Sequence, residues 1–379
     1  MADQPSTDAD LNSVPYTAPL SFKEPSAKWI HSQNHKGTKR THATVPAADL
    51  RGKWVIISGS NNGIGREAAV QMAAWGANLI LACREPPLKE THPSLVVTEC
   101  RAAARVAGHE KAQVEWWELD CASLASAEAF CARWLETGRA LDILCNNAGI
   151  GSSPGGRTVF RTKDGFEIIH QVNFLSHVLL TLRLLPSLAA APTPRIVCTT
   201  SCFHYLGKFA LADFNGELGL AGDSGVQYYQ NNKLYFQIWL AELQRRLLAA
   251  PQYRHVTVNG VHPGYVNTGI WNLNQSGWLT SIKIVIVKVA AWLLGITPQQ
   301  GSLAILHGAV SVEAGPDPEV QGVGVEGGRG GGRYFNRVWE EEAMPHARDQ
   351  DCRLRVWRKV NDELGLEEKG LLDVLGLYL

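Results

Sequence analysis

The stretch Trp54-Val55-Ile56-Ile57-Ser58-Gly59-Ser60-Asn61-Asn62-Gly63-Ile64-Gly65-Arg66-Glu67 decides the fold. Val55, Ile56 and Ile57 form a short β-branched run of the kind used by a strand buried on both faces. Gly59, Gly63 and Gly65 then remove side chains where the backbone has to turn sharply. Beyond Gly65, residues 67–75 are mostly good helix formers. A helix that starts at the end of a strand presents unpaired N–H groups and the positive end of its dipole, which suits a pyrophosphate. The spacing is Gly-x-x-x-Gly-x-Gly, not the Gly-x-Gly-x-x-Gly of the common dinucleotide fingerprint. Alone it also fits an ordinary glycine-rich turn, so the rest of the chain has to choose.

The 379 residues accommodate one large α/β domain with extensions, or two small domains. Lys and Arg (36) balance Asp and Glu (36), so there is no electrostatic footprint for nucleic acid. The eight cysteines are dispersed, several inside apolar runs, and no Cys-x-x-Cys pair occurs. That argues for a reducing, cytoplasmic compartment and against a metal site. Residues 1–50 read as a flexible tail rich in Pro, Ser, Thr and Asp, with Trp29 and Ile30 as local docking points. The tail lacks the apolar core of a secretory signal and the arginines of a transit peptide.

Outward from the glycine turn, strands and helices alternate. Residues 78–84 read as a second buried strand ending at Arg84. An acid at that point favours NAD, whereas an arginine favours the 2′-phosphate of NADP. Arg84 therefore points to NADP(H), or is a solvated strand-end arginine; Glu85 beside it pulls the other way, and Arg66 is a second candidate for the phosphate. Residues 94–107 are helical, and 113–120 form a third strand ending at Asp120. Asp120 either accepts the adenine amino group or caps the helix that starts near Ser123. A fourth strand, 141–145, leads into Asn146-Asn147-Ala148-Gly149. A long helix is expected from Lys163 to Ala189, a fifth strand over 195–201, a helix over 228–250 and a sixth strand over 255–261. This alternation argues for a parallel sheet with helices on both faces. Residues 277–296 are apolar but interrupted by Lys283 and Lys288. They read as a helix closing over a substrate site, a buried packing helix, or a surface helix dipping into lipid. Residues 313–332 read as a Gly/Pro-rich loop, followed by a strand near 332–335 and terminal helices over 347–364 and 366–378.

Tyr229 and Lys233 are four apart on a helix and share a face. An ammonium beside a phenol favours the phenolate, which makes the pair a general acid/base near neutral pH. Ser201, at the C-terminal end of its strand, is placed to hydrogen-bond a carbonyl oxygen, and Asn173 to hold a water linking Lys233 to solvent.

Together these features resemble the short-chain dehydrogenase/reductase family over roughly residues 50–312, and within it the retinol dehydrogenase-like and WW-domain oxidoreductase-like group. The group resemblance rests on Leu81-Ala82-Cys83-Arg84, Gln171-Val172-Asn173 and Ser201-Cys202-Phe203-His204-Tyr205-Leu206-Gly207-Lys208; no WW domain is present in the sequence. The resemblance implies a Rossmann-type doubly wound parallel α/β sheet in a single domain, with the N-terminal tail and a C-terminal strand and helical extension (333–379). It implies a catalytic tetrad of Asn173, Ser201, Tyr229 and Lys233. The implied NADP(H) contacts are Gly59, Ser60, Asn62, Gly63, Ile64, Gly65, Arg84, Asp120, Asn147, Ala148, Gly149, Tyr229, Lys233, Pro263, Gly264, Val266 and Thr268. Thr268 would meet the nicotinamide carboxamide. Ser58 stands where the family usually has Thr, and keeps the hydroxyl.

The implied activity is interconversion of a lipophilic alcohol with its aldehyde or ketone. The alternative is a non-catalytic NADP(H)-binding sensor or scaffold. Phe203, Tyr205, Trp271 and Trp278 are expected around an apolar substrate pocket, or as packing. Peripheral membrane contact through 277–296, at the cytosolic face of the endoplasmic reticulum or lipid droplets, and homodimerisation are further expectations from the group.

Overall fold

The computed structural model describes residues 14–38, 41–87, 90–153, 159–219, 225–266 and 295–372. Its sheet has eight strands in the order β3-β2-β1-β4-β5-β6-β7-β8. These are β1 Trp54–Ser58, β2 Asn78–Cys83, β3 Val114–Glu118, β4 Ile143–Asn146, β5 Arg195–Thr199, β6 Thr257–His262, β7 Tyr334–Asn336 and β8 Trp339–Glu341. All pairings are parallel except β7 with β8. Among the described residues the longer helices are α1 Ala27–Lys36, α2 Gly63–Ala74, α3 Pro93–Val106, α4 Leu124–Glu136, α5 Ile168–Ala189, α6 Val226–Ala249, α7 Pro298–Val310 and α8 Gln350–Leu364. The doubly wound α/β expectation is therefore met.

The period of two along each strand divides the core between the sheet's faces. Val55 and Ile57 of β1, with Leu79, Leu81, Val197 and Val261, pack on α2, α3 and α7 through Ala69, Met72, Val96 and Ile305. Ile56, Ile80, Leu144, Ile196 and Val258 face the other way, onto α4, α5, α6 and α8 through Phe130, Trp134, Leu179, Leu240 and Trp357. Both faces are covered, which is why the central strands read as continuous apolar runs. The strand order reverses between β1 and β4. That switch point opens a crevice at the C-terminal ends of the strands.

The described part of the N-terminal region does not behave as a loose tail. Ser26 caps α1 by accepting the Trp29 N–H, and the Trp29 ring meets Tyr205 edge-on at 5.8 Å. Arg355 and Arg358 of α8 donate to the carbonyls of Ala18 and Val14, each at 2.6 Å. Asn336 of β7 donates to Lys36 O at 2.9 Å, and Gln300 both accepts from Ala43 N–H and donates to its carbonyl. Backbone carbonyls do most of this work, so polar composition concealed it.

Helix α5 starts at Ile168, not Lys163. Gly165 turns with φ +88°, Arg161 bridges to Glu167, and Glu167 caps the helix by accepting the His170 N–H at 2.8 Å. Residues Gln171–Leu175 then form a π-helical turn inside it, a feature common at functional sites. Helix α5 is long and apolar enough to cross a membrane, but 83% of its most apolar stretch is buried in the core, as expected of a packing helix. Helix α8 ends at Gly365 with φ +56°, and 365–372 is a series of turns where a helix is expected; 373–378 lie outside the described residues.

Candidate active site

The glycine turn works by close approach. Gly59 has φ +65°, and a Cβ there would sit 2.8 Å from Ala148 Cα. A Cβ on Gly65 would sit 2.5 Å from both Gly59 O and Asn147 Nδ2. Gly63 opens α2 with φ +57°. Asn62 precedes it in an extended conformation and makes no side-chain cap, so no side chain there claims the first N–H groups of α2. Such an end is suited to an anion. The Ser58 hydroxyl accepts from the N–H groups of Asn147 and Ala148, both at 2.9 Å, which ties the β4 turn to β1. Asn147 donates back to Ser58 O at 2.9 Å and Gly59 O at 3.2 Å.

A cleft of about 1040 Å³ runs over this turn. It is lined by Gly59, Asn62, Gly63, Ile64, Gly65, Arg84, Asp120, Asn147, Ala148, Gly149, Ser201, Tyr229, Lys233, Pro263, Gly264 and Val266. Ser60 is buried beneath it, with its hydroxyl 3.0 Å from Ile57 O. Thr268 lies outside the described residues, as do Trp271, Trp278 and 277–294.

At one end, Arg84 is half exposed and paired with Glu90 at 2.9 Å. Glu85 is paired with His92 instead, at 3.4 Å. Arg66 is not available to a phosphate: Glu99 holds it through two 2.8 Å hydrogen bonds. Asp120 is not the cap of α4. Ser123 takes that role by accepting the Ser126 N–H, while Asp120 Oδ1 accepts from Ala122 N–H at 2.9 Å and the residue faces the cleft.

At the other end, Ser201 begins a 3₁₀ turn, Cys202–Leu206, and its Oγ accepts the Phe203 N–H at 3.2 Å. The hydroxyl proton is thereby left to donate elsewhere. Lys233 donates to Thr199 O at 2.7 Å and lies 5.6 Å from the centre of the Tyr229 ring. Burial pulls the Lys233 ammonium down to about 8. The sequence reading has Lys233 lowering the Tyr229 pKa. In the folded chain burial dominates, and it pushes the phenol up to about 12 against a hydrogen bond from Ser201. Phe203 meets Tyr229 and Tyr265 edge-on at 6.0 and 5.8 Å and forms an apolar wall. Tyr205 is not part of it. It is buried and donates to Glu342 O at 2.5 Å.

Asn173 is buried behind the cleft and is not among its lining residues. It accepts from Ile150 N–H and donates to Ile150 O, both at 2.8 Å, clamping the loop after Gly149. His177, one turn further along, donates to Ala148 O at 2.8 Å; burial takes it down to about 4 and keeps it neutral. In the sequence, the one mark of His177 is a histidine within the Leu-rich α5.

The fold and cleft define a nucleotide-binding α/β protein, and comparison makes this specific. Residues 53–211 match the short chain dehydrogenase family. Retinol dehydrogenase 14 of Mus musculus is 32% identical over 87% of this chain and 92% of its own length. Polyprenol dehydrogenase of Mus musculus is 33% identical over 81% and 82%. A crystal structure of an uncharacterized protein from Mycobacterium paratuberculosis superposes with a TM-score of 0.58 at 26% identity, covering 86% of this chain and 98% of that one. The chain belongs to the short chain dehydrogenase family, an oxidoreductase family that uses nicotinamide cofactors, and groups with its retinol dehydrogenase-like members.

Proposed function

We propose that this chain is an NADP(H)-dependent oxidoreductase that interconverts a lipophilic alcohol and its aldehyde or ketone, with Tyr229 as general acid/base. The observation that carries the reading is a single cleft joining two ends. One has a glycine turn and Arg84, and the other has Ser201, Tyr229 and Lys233 under an aromatic wall. The relatives' names, retinol and polyprenol dehydrogenase, support a lipophilic alcohol.

The residues present fit a nicotinamide dinucleotide. Gly59 and Gly65 leave space that a Cβ would fill, and the uncapped start of α2 faces the cleft. The pyrophosphate would lie on Gly63, Ile64 and Gly65, and the adenosine phosphate at Arg84. Asp120 would meet the adenine, and Pro263, Gly264 and Val266 the nicotinamide end. When bound, the cofactor supplies or takes up the hydride. Ser201, whose hydroxyl proton faces Tyr229, turns it to the substrate oxygen as a hydrogen bond. Tyr229, raised by burial and so protonated at neutral pH, gives that oxygen its proton. Lys233 uses one N–H on Thr199 O and has two left for ribose hydroxyls. Asn173 holds Ile150 through one N–H and one lone pair, which leaves its second N–H and lone pair for the water that would link Lys233 to solvent.

Retinal, the aldehyde of the alcohol in the relatives' names, is the first probe. Tyr229→Phe should bind NADPH with wild-type affinity, measured by tryptophan fluorescence, and lose turnover of retinal. Undiminished turnover in that variant would refute the assignment. A chain that binds NADPH but turns over no carbonyl would be a sensor or scaffold. The same reading has the enzyme facing the cytoplasm and touching membrane through 277–296. Flotation from a lysate should then carry the full chain with membranes and leave a chain lacking that segment behind. Equal flotation of the two would refute the contact.

A further inference from the structure

We propose that His204 is a positioning residue for Ser201, and that it makes the serine's orientation depend on the C-terminal segment around Met344. The inference rests on the reading of Ser201 given above. His204 is completely buried and sits in the 3₁₀ turn that Ser201 begins. Its Nε2 lies 3.1 Å from the Met344 backbone nitrogen, and its Nδ1 2.7 Å from the Ser201 carbonyl oxygen. A backbone N–H only donates, so Nε2 carries a lone pair. The proton is then on Nδ1 and is donated to Ser201 O. One arrangement satisfies both contacts, and it is the neutral ring with a fixed tautomer.

The same carbonyl accepts the His204 backbone N–H at 3.0 Å. The Ser201 peptide is therefore gripped twice by one residue. Neighbouring contacts hold the ring itself. Tyr334 of β7 meets it edge-on at 4.6 Å, and the tilted Tyr205 ring lies 3.9 Å away while its hydroxyl donates to Glu342 O. Met344, Tyr334 and Glu342 all follow residue 330, beyond residues 53–211 that the family model matches. The carbonyl of Ser201 and its hydroxyl share one Cα, so tilting the peptide re-aims the Oγ. An error of about 1 Å in a reacting group is costly for turnover and nearly neutral for cofactor binding elsewhere in the cleft.

The test uses the full-length protein with NADPH and retinal, and it reads kcat and NADPH affinity separately. His204→Asn places an amide N–H near the Nδ1 position and keeps the bond to Ser201 O. His204→Gln reaches toward Met344 and loses it. We expect kcat to fall about tenfold in His204→Gln and less than about threefold in His204→Asn, with NADPH affinity unchanged in both. A second pair approaches from the other end. Met344 has φ −51°, which proline tolerates. Met344→Pro removes the N–H and the side chain, whereas Met344→Ala removes the side chain alone. The proline variant should have a kcat about fivefold below that of the alanine variant. Equal kcat in Asn and Gln, or in Pro and Ala, would overturn the proposal and leave His204 a packing residue. A Ser201→Ala variant as fast as wild type would instead take down the reading of the site itself.

Discussion

Replacing Gly65 by alanine tests the cofactor cradle with a single methyl group. The φ of Gly65 is not in the left-handed region, so backbone strain does not enter. The cost comes from contact. The new Cβ would sit 2.5 Å from Gly59 O and 2.5 Å from Asn147 Nδ2, far inside van der Waals distance. Gly59 O belongs to the backbone of the turn and cannot rotate away. Asn147 can move only by giving up its bonds to Ser58 O and Gly59 O. Overpacking of this kind costs about 1–3 kcal/mol, and each hydrogen bond lost adds roughly 1 kcal/mol. About 2–4 kcal/mol has to appear somewhere, and every 1.4 kcal/mol is about a tenfold change in affinity. NADPH binding by tryptophan quenching should therefore weaken by about thirtyfold or more, or the melting temperature should fall by several degrees. The two measurements made together account for the whole cost. Wild-type affinity with wild-type melting would refute the reasoning that this glycine is needed for close approach.

The remaining predictions concern charge. Arg84→Ala should weaken NADPH by about tenfold and leave NADH nearly unchanged. Glu90→Gln frees Arg84 from an exposed ion pair and should tighten NADPH about two- to fivefold; parallel changes for both cofactors would contradict both expectations. His170 is buried between Glu363, 2.8 Å from Nε2, and Asn232, 2.5 Å from Nδ1. Burial is the largest influence and opposes its charge, but Glu363, Asn232 and Glu167 together outweigh it, and its pKa rises above the ordinary 6.5. The pair's stabilisation is then fully present below about pH 6.5 and is lost as pH rises through the raised value. Melting curves across pH should show that alkaline loss in wild type and not in Glu363→Gln, and superimposable profiles would refute it.

The parts legible in the sequence are those set by short-range chemistry. The strand, three glycines and helix start of residues 54–67 need only local turn geometry, and Tyr229 and Lys233 need only a helix. The parts that were not legible depend on distant partners. Glu99 lies on α3, and only the folded packing of α2 against α3 takes Arg66 from the phosphate. The N-terminal stretch docks because arginines more than 300 residues away reach its carbonyls. β8 is three residues long and follows a hairpin in which Arg337, with φ +59°, stands where glycine or asparagine would have signalled the turn. The raised phenol of Tyr229 reflects burial by the whole cleft wall, which no i,i+4 spacing reveals.

Titration of the wild-type chain with NADPH and with NADH, followed by tryptophan fluorescence, tests the central claim most directly. The account expects both to bind and NADPH to bind more tightly, because the glycine turn serves either cofactor and Arg84 serves only the phosphate. Failure of both to bind would contradict the reading of the cleft as a dinucleotide site, and tighter binding of NADH would contradict the role given to Arg84.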